Sequence, residues 1–298
     1  MNGILPLWKE KGMTSHDCVF KTRKILKTKK VGHTGTLDPD VEGVLPLCIG
    51  NATRLAEYIT DSGKTYEAEV TIGTSTETED ASGAVINSKP IEKPINETDL
   101  SHVFQSLTGK IEQTPPMYSA VKVNGRRLYE YARAGEIVER PSRIVSIYSI
   151  EQISPVEQDE KSVRFSIRIS CGKGTYIRTL AVMIGEKLGY PAHMSRLVRT
   201  HSGGFSQEDC VTLAELAESL PEEVLKPVEV AVSHLPKWHV NDTVALMIKN
   251  GAVLPVPDEW PAGEAEAAVY LNSELLAIYR LHPEKKGKIK PVKVMPQL

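Results

Sequence analysis

Two stretches of this chain alternate strictly between apolar and polar positions. Tyr66, Ala68, Val70 and Ile72 share one face of the first. Val163, Phe165, Ile167 and Ile169 share one face of the second, opposite Arg164, Ser166, Arg168 and Ser170. A period of two with one wetted side predicts half-buried strands. Alternation in place of uninterrupted apolar runs predicts a largely antiparallel sheet rather than a doubly wound parallel one. The short apolar segments Gly3 to Trp8 and Val44 to Ile49 predict two further strands.

Helical spacing occurs in three places. Thr14 and Asp17 fit a capping-box start, followed by the semi-apolar stripe Val19, Thr22 and Ile25/Leu26. Asn51 to Ile59 predicts a helix burying Leu55, Tyr58 and Ile59. The second alternating strand ends in Cys171-Gly172-Lys173-Gly174, after which Ile177, Leu180, Met183/Ile184 and Leu188 recur at helical spacing. Arg178 therefore belongs in the first turn of a helix emerging from a sheet edge. The segment Thr74 to Gly83 is polar and acidic with no core pattern, and it reads as a loop.

Composition shifts around Ser233 to Asp242, where Pro236 and Trp238 mark a linker. Beyond it come a short helix (Thr243 to Lys249), an Asn250-Gly251 turn, a hairpin across Val269 to Tyr279 turning near Asn272-Ser273, and a final strand near Lys290 to Val294. The expected fold class is α+β. A central, largely antiparallel or mixed sheet flanked by helices occupies residues 1–235, and a small β-rich unit occupies residues 236–298.

Charge narrows the function more than composition does. The net charge of −2 over 298 residues excludes a uniformly basic nucleic-acid coat, so binding to a polyanion has to come from local patches. Three exist: Lys21 to Lys30, with six Lys or Arg in ten residues, the Lys122 to Arg143 region, and Lys285 to Lys293. Cys18, Cys48, Cys171 and Cys210 are scattered without a Cys-x-x-Cys pair, and the eight histidines form no His-Glu-x-x-His pattern. No structural or catalytic metal is therefore expected. Four unpaired cysteines suggest reduced thiols and a cytoplasmic protein. The early charges Lys9, Glu10 and Lys11 leave no signal-peptide core, and no apolar run is long enough for a membrane span. The Gly-Lys-Gly turn lacks the pattern of a nucleotide-triphosphate loop.

Candidate chemistry concentrates between Gly32 and Gly43, reading Gly-His-Thr-Gly-Thr-Leu-Asp-Pro-Asp-Val-Glu-Gly. Its glycines and proline suit a backbone that approaches a ligand closely. Asp38 is biased toward extended geometry by Pro39, and it follows the strongest basic patch. A carboxylate beside a patch that attracts polyanions weakens simple phosphate binding, so it points to chemistry on a nucleic acid.

The loop, with Gly43-Val44-Leu45-Pro46 after it, resembles the signature of the TruB-type pseudouridine synthases. Three more segments agree in order: Lys64-Thr65-Tyr66; Gly172-Lys173-Gly174-Thr175-Tyr176-Ile177-Arg178-Thr179-Leu180; and the Pro115 to Lys122 and Asn124 to Tyr129 stretch, which looks like the bacterial tRNA branch. The resemblance implies isomerisation of the TΨC-loop uridine of tRNA, with the base flipped out and, since substrate and product are isomers, with no cofactor. Asp38 would be the nucleophile, Arg178 the cation that keeps it ionised through a two-pronged pair, and Tyr66 a stacking residue with a role in deprotonating C5. A phenol with a pKa near 10 is a poor base at neutral pH, so water or Asp38 itself is the alternative. Attack by Asp38 at C1′ or at C6 stays open.

The same resemblance gives His33 a part in holding the flipped uridine, and Tyr176 and Leu197 the walls of a uracil pocket. Lys64 joins them as a substrate-binding candidate. Lys122, Arg126, Arg127 and Arg133, interleaved with Tyr118, Tyr129 and Tyr131, would grip the tRNA T arm from a segment of about 110–145. The C-terminal unit would be a PUA-like RNA-binding module. The implied protein is a monomer that acts without a guide RNA. One rival is the guide-RNA-dependent catalytic subunit, which should lack the Pro115 to Gly135 pattern. The other is a non-enzymatic tRNA binder or folding helper, against which intact Asp38, Tyr66 and Arg178 argue.

Overall fold

The computed structural model describes residues 1–296. The spine of its main sheet runs Gly3–Lys9, Glu42–Ile49, Ala192–Ser202, Lys64–Ile72, Val163–Cys171, Arg143–Gln152, Gly109–Gln113. Every pairing along it is antiparallel except one, where Val198 and Arg199 lie parallel to Glu42 and Gly43. The fold is α+β with a mixed, mainly antiparallel sheet, as the alternation predicts.

The two alternating strands are direct neighbours, Ala68 opposite Ile167 and Val70 opposite Phe165. Their apolar rows form one cluster with Leu100 and Phe104 of the Glu97–Ser106 helix and Leu180 and Ile184 of the Ile177–Leu188 helix. The other row carries the exposed Arg168–Glu67 pair at 2.9 Å, worth at most about 1 kcal/mol. The two N-terminal strands are covered on both sides. Leu5, Leu7, Leu45 and Leu47 pack under the Ser15–Ile25 helix, while Ile4, Val44 and Cys48 face the C-terminal unit. Thr14 caps that helix: its hydroxyl accepts from Asp17 N–H, and the Asp17 carboxylate accepts from Thr14 N–H.

Three local readings change. Asn51 to Ile59 is a 3-10 turn (Gly50–Leu55) followed by the short helix Ala56–Asp61. Thr74 to Gly83 is not wholly loop, because Thr74–Thr76 pairs with Val85–Ser88. The Ser233 to Asp242 linker narrows, because Lys237–His239 is already the parallel edge strand of a five-stranded sheet. Trp238 is 4% exposed and meets Trp260 and Tyr279 edge-on; an indole is too large an apolar surface to leave in a linker. The C-terminal sheet docks through Ala268, Tyr270, Leu275 and Ile278, which share a cluster with Ile4, Leu55 and Ile59. Tyr58 hydrogen-bonds Glu266 across the junction, Lys293 pairs with Glu57 at 3.0 Å, and Arg54 Nη1 donates to Val294 O at 2.8 Å.

The parallel contact depends on Gly43. Its φ is +137°, and a Cβ there would stand 2.3 Å from Arg199 O and 2.6 Å from Arg199 N. Gly43→Ala is expected to cost about 2–4 kcal/mol from strain and forced backbone separation. The check is a urea titration, in which the midpoint should fall with the slope unchanged.

Candidate active site

The Asp38 loop is held from three directions. Thr34 donates N–H and Oγ1–H to Pro46 O at 3.2 and 3.0 Å. Leu37 N donates to Ser15 Oγ at 2.9 Å. Lys9 is fully buried and drives Nζ into the carbonyls of Pro39 and Val41, at 3.1 and 2.6 Å, just after Asp38. A loop tied at this many points presents its carboxylate in one orientation.

Arg178 rises from the first turn of the Ile177–Leu188 helix and is 5% exposed. Its Nη2 lies 3.0 Å from Asp38 Oδ2 and donates to Tyr118 O at 3.0 Å. Nη1 donates to Thr78 O at 3.1 Å, and Nε lies 3.9 Å from Asp80 Oδ2. The expected two-pronged grip on Asp38 is thus a single contact, with the rest of the fork spent on Thr78, Tyr118 and Asp80. A buried cation at a helix N-terminus opposes the helix dipole and is costly to desolvate. Two carboxylates and two carbonyls offset that cost.

Asp38 keeps 42% of its side-chain surface open to the cleft, enough to meet a ligand. Enclosure by the cleft walls pushes its carboxyl above the ordinary carboxylate value; Arg178 pulls it back, and Asp80 adds to the upward push. Arg178 is therefore what limits the rise.

The cleft has a volume of about 510 Å³, within the usual range for a small-molecule site. Tyr66, 7% exposed, forms part of its floor. Burial pushes the phenol up while the Arg199 guanidinium opposes it, so Tyr66 stays protonated at neutral pH. Tyr176 stands at the mouth, its N–H donating to Gln113 Oε1 at 3.0 Å and its carbonyl accepting from Gln113 Nε2 at 3.2 Å. Leu197 faces the cleft from the strand beside Tyr66. Lys64 is 7% exposed and donates to Thr60 O at 2.8 Å.

Six of the expected residues thus share one cleft: Asp38, Tyr66, Arg178, Lys64, Tyr176 and Leu197. Four lie outside its lining. His33 sits on the strand leading to the loop, its Nδ1 accepting from Gly35 N–H at 3.3 Å. Lys122, Arg126 and Arg127 belong to a small hairpin. Arg126 is paired with Glu136 at 2.9 Å and lies over the Tyr131 ring at 4.3 Å. Arg127 donates to Tyr129 Oη at 2.8 Å. From the same segment, Tyr118, Tyr129 and Arg133 do reach the cleft.

Sequence reasoning passes over three residues. Lys9 sits in an N-terminal strand and Asp80 in the acidic loop, so neither has a local signal. Arg199 has one, because it follows Leu197 by two in a strand and so shares its inward face. Among the described residues, no group of three or more His, Cys, Asp or Glu side chains is placed to hold a metal ion, and no helix is long and apolar enough to cross a membrane.

Comparison with known proteins gives the family. Residues 23–177 match the family described as TruB family pseudouridylate synthase (N terminal domain), and residues 178–233 match the tRNA pseudouridylate synthase B C-terminal domain. The chain is 57% identical to tRNA pseudouridine synthase B of Listeria welshimeri, covering 99% of this chain and 98% of that protein. It is 53% identical to tRNA pseudouridine synthase B of Bacillus subtilis, covering 100% and 98%. A crystal structure of a Cbf5-Nop10-Gar1 complex contains a chain 30% identical, with a TM-score of 0.70 over 99% of this chain and 84% of that one.

Proposed function

Since the chain belongs to the TruB family of pseudouridylate synthases, we propose that it isomerises the TΨC-loop uridine of tRNA to pseudouridine. The observation that carries this is Asp38, open to a cleft of about 510 Å³ and held by a buried arginine. The reaction breaks the bond between ribose C1′ and uracil N1, turns the base and rejoins it through C5. Substrate and product are isomers, so the chemistry needs no redox or phosphoryl donor.

Asp38 acts as the covalent nucleophile. Arg178 orients it and favours its ionised form. Tyr66 stacks on the base, and its raised pKa favours water or Asp38 over the phenolate as acceptor of the C5 proton. Tyr176 and Leu197 enclose the ring. To bring its ring against Asp38 and Tyr66 the uridine must leave its stack, at a cost of a few kcal/mol. His33, near the loop entrance, helps keep it out.

The Lys122 to Arg143 segment grips the T arm, with Tyr129 between Arg127 and Arg133 at 5.7 and 5.3 Å as a stacking surface. Residues 1–235 form the catalytic domain and 236–298 a PUA-like RNA-binding unit. The protein works as a monomer in the cytoplasm, without a guide RNA. Its 53–57% identity to relatives named for tRNA, against 30% to the chain in the Cbf5-Nop10-Gar1 complex, supports the last point.

The test is tritium release from C5, using a tRNA transcript carrying 5-tritiated uridine and no added cofactor. One label per tRNA, lost when the T-loop uridine is replaced, is the expected result. Binding without release would favour the guide-dependent or non-enzymatic reading.

A further inference from the structure

Two cations lie buried on the floor of the cleft with no carboxylate paired to them among the described residues. Lys64 is 7% exposed and Arg199 1%. Among the described residues Lys64 bonds only Thr60 O, at 2.8 Å. Arg199 donates to Val44 O at 2.8 Å, Gly35 O at 3.2 Å and Thr36 O at 3.4 Å. Asp61, whose charge reaches Lys64, is itself held by Lys173 at 2.7 Å. Burying a charge without a counter-charge is strongly unfavourable. Two on one floor call for an anion that the protein does not supply.

The register says where that anion sits. Arg199 is directly across from Tyr66, and Lys64 precedes Tyr66 by two on the same face. A Cβ placed on Gly35 would stand 3.4 Å from Lys64 Cε and 3.6 Å from Arg199 Nη1. The two cations therefore converge beside the loop that carries Asp38, around the ring on which the base would stack. An ammonium has three donors and a guanidinium five, so each has N–H groups beyond its backbone bonds.

We propose that Lys64 and Arg199 hold the negative charge that passes from Asp38 to the uracil ring during isomerisation. The assignment rests on the synthase reading above and holds for either point of attack. If the carboxylate bonds to C1′, the C1′–N1 bond breaks and its electron pair leaves on N1, spread over O2 and O4. If it bonds to C6, the C5–C6 pair moves toward C5 and O4, and the C1′–N1 bond then breaks with its electron pair leaving on N1, which frees C1′ for C5. In both routes the carboxylate is neutralised and the ring becomes the anion. When C5 bonds to C1′ and the Asp38 bond breaks, the charge returns to the carboxylate. The C5 proton then leaves, N1 takes one up, and nothing is consumed. A phosphate of the flipped nucleotide could occupy the same cations, but its charge is constant along the reaction. It would affect binding rather than the bound-state rate.

Burial brings the Lys64 ammonium down to about 8; Arg199 and, more weakly, Lys173 push the same way, while Cys171 and Asp61 oppose. In the free protein Lys64 is charged below that pH and neutral above it, and an anion bound beside it favours the charged form, so the alkaline limb of the bound-state rate should lie above about 8.

The experiment measures single-turnover tritium release and tRNA affinity with the full-length protein at saturating enzyme, from about pH 6 to 10. Lys64→Met should slow release by about 10²-fold with affinity nearly unchanged. Lys64→Arg should retain release and carry the alkaline limb to higher pH. Weaker binding with a wild-type bound-state rate in Lys64→Met would overturn the proposal in favour of a phosphate clamp. Should Lys64→Met fail to fold, Lys64→Gln takes its place, and a wild-type bound-state rate in that variant would equally overturn the proposal. A wild-type protein that releases no label overturns the synthase reading itself, a distinguishable failure.

Discussion

Asp38→Asn is expected to bind tRNA and release no tritium. The amide has nearly the same shape, so the loop ties from Thr34, Leu37 and Lys9 stay in place. It carries no charge and is not a nucleophile at neutral pH, so the covalent step has no substitute. Loss of a nucleophile costs about 10⁴-fold or more in turnover. Stability should fall much less, because Asp38 is partly open to solvent; a loss of about 1–2 kcal/mol follows from exposing Arg178 to an incomplete set of partners. Filter binding and tritium release on one preparation make the comparison. Turnover near wild type would show that the carboxylate is not the nucleophile.

The second large effect is expected at Arg178. Arg178→Lys keeps a charge but cannot reach Asp38, Tyr118 O, Thr78 O and Asp80 together, as the guanidinium does at 3.0 to 3.9 Å. A loss of roughly 10²-fold follows. Arg178→Gln removes the charge as well and should lose roughly 10³-fold. The two variants also separate by pH. Asp38 must be ionised to attack, and enclosure already raises its pKa with Arg178 as the first opposing force. Activity is present above that pKa and lost as pH falls through it. Arg178→Gln lets the pKa climb further, so the acid limb of the single-turnover profile should move to higher pH. Arg178→Lys should move it less. An unmoved acid limb in Arg178→Gln would mean that the guanidinium only props the loop.

Much of this site is legible in the sequence. The Asp38 loop, Lys64-Thr65-Tyr66 and the Arg178 segment are contiguous runs whose residue types are dictated by backbone shape and chemistry together. Alternation at Tyr66 to Ile72 and Val163 to Ile169 gave the strands because a half-buried sheet demands it. Trp238 misled, since Pro236 is a local signal whereas indole burial depends on Trp260 and Tyr279, further along the chain. Tyr58 packs against the core beside Leu55 and Ile59, as its spacing predicts, but only the fold shows that its hydroxyl reaches Glu266 on the other unit.

The sequence by itself determined the alternating strands, the capped first helix, the loop chemistry and the family to which they belong. Each of these is written in neighbouring residues, whose spacing directly sets which face they share. Only the tertiary structure decided what surrounds the carboxylate. Asp80 meets Arg178 from 98 positions earlier in the chain, within 3.9 Å, and Lys9 reaches the carbonyls of Pro39 and Val41 from the first strand. Arg199 and Lys64 converge through cross-strand pairing and the close approach of Gly35. Electrostatics depends on distance through space and on burial, and neither is a property of a short stretch of chain.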